Sequence, residues 1–207
     1  PISEYSQKLG MNLIAGSTFF ETESGFANAS KAIWADGRIA IQPKMVLTQF
    51  EQQDWKIQKG KSMVRLPDPR IGITICYDCE FPEAGRALAE SGVLCQIVPA
   101  FTQDVHGFWR VRNSCLARAL ENQIFVVHST LVGSLGREPV PSAVGSSAIM
   151  APSIEPFTAN GILAESDWNK ESIAFADLDF KALIQARESG DVRNWNDRNR
   201  GNWNYGV

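Results

Sequence analysis

The stretch Ile71-Gly72-Ile73-Thr74-Ile75-Cys76-Tyr77-Asp78-Cys79-Glu80-Phe81-Pro82-Glu83 decides the fold. Its alternating β-branched residues predict a strand that stops at Cys76. Pro82 and the Ala/Leu/Arg/Glu-rich residues behind it predict a helix over Pro82–Glu90, with proline in the first turn. A cysteine at a strand-to-helix turn sits where backbone N–H groups point outward, and a thiol near a helix start tends toward a low pKa. Cys76 is therefore the candidate nucleophile, and Asp78 is read as the cap of the following helix.

Outward from this turn, strand and helix alternate. Val93–Pro99 reads as a buried strand, Phe108–Asn122 as a helix, Ile124–Thr130 and Ser146–Met150 as strands, Ser172–Leu178 as the last strand and Phe180–Ser189 as the last helix. On the N-terminal side, Ile2–Leu9 reads as the end of a helix stopped by Gly10. Met11–Ser17, Ala29–Ala35 and Arg38–Gln42 read as strands, the last two joined by the hairpin signal Asp36-Gly37. Met63–Leu66 and Ile71–Cys76 flank a turn at Pro67-Asp68-Pro69, and Glu51–Ser62 reads as polar loop. The pattern implies an α/β fold with mixed sheets and outer helices. With no repeat or linker, residues 1–207 read as one domain, with 191–207 as an extended tail.

Composition narrows the function classes. The 207 residues carry a net charge of −3 with no basic block, which argues against a nucleic-acid partner. No apolar run approaches the roughly eighteen residues of a membrane span. The four cysteines lack zinc-site spacing and suit a reduced, cytoplasmic setting. Cys95 and Cys115 fall mid-strand and mid-helix, as small buried hydrophobes do. Cys76-Tyr77-Asp78-Cys79 also has the spacing of a thiol redox pair, although no compact βαβ frame surrounds it. His128, inside an apolar strand, reads as a satisfied core residue, and Arg110 and Arg112 fall on different helix faces.

The run Ile75–Glu83 closely resembles the nucleophile motif of the nitrilase superfamily, the carbon–nitrogen hydrolases. Asn12–Ser17, Pro43–Leu47 with Phe50-Glu51, Arg112 with Arg118–Gln123, Gly145–Ile149 and Gly161–Leu163 resemble further family segments in order and spacing. The resemblance implies a nitrilase-like αββα sandwich and displaces the redox reading. It implies Cys76 as nucleophile, Lys44 as catalytic lysine beside the oxyanion, Glu51 as a second glutamate that positions the lysine, and Glu121 as a supporting residue. A lysine or glutamate alone has a solvated surface as its ordinary fate. Tyr77, Glu80, Phe101 and Thr102 lie at turns on the Cys76 side, where α/β folds place ligands, and each also suits a scaffold role.

One departure stands out. The family's base glutamate follows an early strand, and Glu4, predicted inside a helix, does not match it. The chain, which opens on Pro1, is expected to lack the family's N-terminal portion and with it the base. The implied reaction is hydrolysis of a small linear amide, or less commonly a nitrile, through a thioester with no cofactor. An acyltransferase and a catalytically incomplete fragment are the alternatives. A homodimer crossed by the Trp195–Tyr205 tail is also implied.

Overall fold

The structure, a computed structural model, describes residues 2–201 apart from Ser24 and Pro139. It begins with helix α1 (Ile2–Leu9), closed by Gly10 at φ +63°. Strands β1 (Leu13–Thr22), β2 (Gly25–Ile33) and β3 (Ile39–Pro43) form an antiparallel sheet. β1 runs five residues past the expected Ser17, with a register break between Ile14 and Ser17 beside Gly16. The β2–β3 hairpin closes at Asp36-Gly37, where the Trp34 N–H donates to the Arg38 carbonyl and Gly37 takes φ +91°.

The second sheet has five strands in chain order: β4 (Ile71–Ile73), β5 (Cys95–Ala100), β6 (Phe125–Thr130), β7 (Ala148–Met150) and β8 (Ile162–Glu165). β4, β5 and β6 are parallel, and β7 and β8 turn back antiparallel. Parallel neighbours need crossovers, which helices α3 (Pro82–Glu90) and α4 (Val105–Asn122) supply.

The layers follow from which faces are apolar. Ala32 and Trp34 from the first sheet meet Ile73 and Ile75 from the β4 side and bury the gap between sheets. Val98, Val126, Ala148 and Met150 face Val111, Cys115 and Ala119 of α4. α1 lies on the far side of the first sheet, where Ile2 and Ser3 border a groove with Thr18, Lys31 and Ile33. The order is helix, sheet, sheet, helix, as the family resemblance implies. Among the described residues no helix is long and apolar enough to cross a membrane.

Four expectations are corrected. Glu51–Ser62 is not all loop, because α2 (Gln49–Gln53) opens on a capping box between Thr48 and Glu51. Met63–Leu66 forms no strand; Gln42 Oε1 accepts from the Val64 N–H (2.7 Å) in place of a ladder. Ser172–Leu178 is not a strand either, with Ile173 and Phe175 exposed. Its alternation gives local preference, but a strand also needs a paired neighbour. Finally, α5 (Phe180–Ser189) is followed by a short helix, α6 (Asn194–Asp197), so 191–201 is not extended. Trp195 packs on its own chain: its N–H donates to Gln123 (2.9 Å), and its ring sits under the guanidinium groups of Arg198 (3.7 Å) and Arg187 (4.5 Å). The rest of the expected tail, 202–207, lies outside the described residues.

Candidate active site

Lys44 follows directly on β3. Its N–H donates to the Asn28 carbonyl (2.8 Å) and its carbonyl accepts from Gly60 (2.7 Å), so the backbone is clamped on both sides. The side chain is buried and meets Glu51 at 2.6 Å. Glu51 is itself held by α2: its carboxylate accepts from the Thr48 N–H (2.8 Å), the Thr48 hydroxyl (3.0 Å) and Asn28 Nδ2 (3.2 Å). Burial pushes the Glu51 carboxyl up, but the Lys44 ammonium and these donors outweigh it and hold the pKa below the usual carboxylate range. Glu51 is therefore ionised and held in place against Lys44.

Cys76 opens a 3₁₀ turn, Cys76–Glu80, between β4 and α3. It has φ +48°, a conformation that is uncommon for a residue with a side chain and that clusters at functional sites. Asp78 holds this turn in place. Its carboxylate accepts from the N–H of Ile75 (3.0 Å), Val46 (2.7 Å) and Met45 (3.1 Å). Asp78 thus joins the cysteine turn to the two residues after Lys44. It does not cap α3, whose N-cap residue is Phe81.

The expected low thiol pKa is also corrected. Burial pushes Cys76 up to about 11, and the nearby Lys44 ammonium only partly opposes this. The helix that could have lowered it starts six residues later, at Pro82. The thiol donates to the Phe101 carbonyl at 3.5 Å.

A cavity of about 340 Å³ opens beside the thiol. Cys76, Lys44, Glu51, Tyr77, Glu80, Phe101 and Thr102 all line it. Glu121 does not. It pairs with Arg118, whose Nε donates to the Cys79 carbonyl (3.0 Å), so it reaches the cysteine turn only through that arginine. Cys79 points into the core, 3.9 Å from Cys115 Sγ, while Cys76 faces the cavity. Cys95 and Cys115 are buried as expected. His128 is buried too, but neither ring nitrogen has a hydrogen-bond partner among the described residues, so it is not satisfied. Burial and the Arg112 charge push it down to about 3. Arg110 and Arg112 do part: Arg110 lines the cavity, whereas Arg112 is buried against Ser146 and Glu165.

Sequence reasoning missed Asn28, Thr48, Phe50, Trp55 and Arg110 as cavity residues. Thr48-Gln49-Phe50-Glu51 carries a legible capping-box signal. Asn28 reaches the site through β2–β3 pairing, which no local pattern announces.

The chain belongs to the carbon-nitrogen hydrolase family, whose family model matches residues 1–188. It is 38% identical over 202 residues to a probable hydrolase of Bacillus subtilis, YhcX, covering 96% of this chain and 39% of that protein. It is 37% identical over 133 residues to an (R)-stereoselective amidase of a Pseudomonas species, covering 63% of this chain and 47% of that enzyme. The chain thus spans less than half the length of either relative. Among solved structures, Saccharomyces cerevisiae Nit3, of the nitrilase superfamily, superposes with a TM-score of 0.77 at 23% identity, covering 92% of this chain and 68% of that one. The Caenorhabditis elegans NitFhit protein superposes at 0.78 and 23%, covering 90% and 47%. These two likenesses establish the nitrilase fold.

Proposed function

We propose that this chain carries the nucleophile and lysine of a cysteine-dependent amidase that cleaves small, linear, non-peptide amides through a thioester. The observation that carries the reading is one cavity in which Cys76 and the buried Lys44–Glu51 pair meet. Amidase-named relatives favour amides over nitriles.

In this reading the Cys76 sulfur bonds to the amide carbon, and the C=O electron pair moves onto oxygen. The Lys44 ammonium stabilises that oxyanion, and an N–H of the Cys76 turn is a second donor. Losing one such donor typically costs on the order of 10²-fold in rate. The C–N bond then breaks, and the leaving nitrogen takes the proton that the thiol lost. Water adds to the thioester, the C–S bond breaks, and acid and free thiol result. Glu51, held ionised by Lys44 and three donors, orients the lysine. Burial keeps the thiol protonated until a base accepts its proton.

Mass spectrometry of the protein after incubation with an amide panel, alongside ammonia release, tests this. The expected result is an acyl adduct on Cys76 and ammonia production that Cys76→Ala abolishes and Cys79→Ala largely retains. Adducts confined to Cys95 or Cys115 would refute it.

A further inference from the structure

The cavity walls differ in how fully their charges are met. On one side the Lys44–Glu51 pair is buried and complete. On the other, Glu80 ends the cysteine turn with its side chain 17% exposed, and meets only Arg110 of α4, at 3.5 Å, among the ion pairs of the described residues. The Arg110 side chain is 62% exposed, so water screens that contact. Burial pushes the Glu80 carboxyl up, and the Arg110 and Lys44 charges do not bring it back. The more buried group on this wall is therefore a carboxylate whose burial the nearby cations do not offset, and the group facing it is a solvent-exposed cation that a ligand can displace. Phe50 and Trp55, edge to face with centroids 4.7 Å apart, add aromatic surface to the same cavity. A carboxylate with aromatic rings suits a cation.

We infer that Glu80 is a specificity-determining residue that selects amides whose far end carries a cationic nitrogen, which takes Arg110's place against the carboxylate. The inference rests on the amidase reading above for which end of the substrate faces Cys76. It goes beyond that reading by naming the charge of the other end. A substrate with a distal carboxylate would meet Glu80 as a like charge.

The test uses the full protein and three amides of matched size: 4-aminobutanamide (cationic), pentanamide (neutral) and succinamate (anionic). Binding is measured by calorimetry on the Cys76→Ala variant, and turnover by ammonia release on the unmodified protein. The expected result is at least tenfold tighter binding and higher kcat/KM for 4-aminobutanamide than for pentanamide, with succinamate last. Glu80→Gln should bring the first ratio to within about threefold, and Arg110→Gln should widen it. Equal binding of all three amides overturns the inference, as does a succinamate preference that Arg110→Gln removes. If 4-aminobutanamide binds with the stated preference but no amide is turned over, the specificity assignment stands and the amidase reading falls. Unselective turnover of neutral and anionic amides has the opposite consequence.

Discussion

Replacing Lys44 with methionine removes one half of a buried ion pair and leaves the other half in place. Lys44 and Glu51 are 3% and 4% exposed and 2.6 Å apart. Removing one member of such a pair costs about 3–5 kcal/mol, because the remaining charge is left uncompensated. Here Glu51 keeps three neutral donors, the Thr48 N–H, the Thr48 hydroxyl and Asn28 Nδ2, which places Lys44→Met near the lower end, about 3 kcal/mol. Adding Glu51→Gln to Lys44→Met removes the charge. The introduced amide still accepts from the Thr48 N–H, and Asn28, whose Oδ1 has no partner among the described residues, can turn to receive the new N–H group. The double variant should therefore lie within about 1 kcal/mol of the unmodified protein, which makes it roughly 2 kcal/mol more stable than Lys44→Met alone. Urea unfolding of all four proteins at pH 7 measures it. A loss below about 1 kcal/mol for Lys44→Met, or a double variant no more stable than the single, would show that the pair is solvated and that the argument is wrong. The pH dependence has a definite sign. The folded Glu51 pKa is depressed, so its contribution is present above the unfolded value of about 4.3 and is lost as pH falls through the lower folded value. Glu51→Gln should lack that part of the acid-unfolding slope.

The Cys76 thiol, pushed up to about 11, should react slowly. At pH 7.5 its thiolate fraction is ~3 × 10⁻⁴, against ~10% for an ordinary thiol. The greater nucleophilicity of a more basic thiolate recovers ~10-fold, leaving iodoacetamide alkylation of this 207-residue chain about 30-fold slower than a free thiol. The rate should climb through pH 10, and a plateau near pH 7 would refute the shift. Asp78→Ala removes the acceptor for three backbone N–H groups and should cost about 2–4 kcal/mol in urea unfolding; a loss under 1 kcal/mol would mean that the turn holds without it. Trp195→Ala should cost about 2–3 kcal/mol, below the range for a fully buried tryptophan, because the ring is only part-buried between its own chain's arginines. That loss should be independent of protein concentration, whereas a concentration-dependent loss would place the ring at a subunit contact.

What was legible in the sequence was what local chemistry encodes. Helix α3 begins at Pro82 and ends at Glu90, the predicted bounds, because proline pre-sets the first turn and Gly92 at φ +97° follows the end. Helix α5 also matches its predicted span, with Asp179 accepting from the N–H groups of Lys181 and Ala182 at its start. What failed was non-local. Ser172–Leu178 has a strand's alternation and no ladder partner among the described residues, and no pattern within seven residues reports what lies alongside them. The thiol pKa failed for a related reason. Position near a helix start is read from the chain, but burial, the dominant cause, is set by what the fold brings against Cys76.

Asp78 shows how a residue can be legible in position and opaque in purpose. Read locally, an acid two residues after the nucleophile and just before a helix is a cap. In the fold its carboxylate spans 32 and 33 residues to the N–H groups of Val46 and Met45, next to Lys44. Its other oxygen takes the N–H of Ile75, next to Cys76. One side chain therefore ties the backbone on either side of the sulfur–ammonium pair that the proposed chemistry needs. The tie is made of backbone donors, so it constrains no side chain at 45, 46 or 75. A reader of the sequence sees Asp78 but cannot see its partners, since any residue other than proline would serve at each of them.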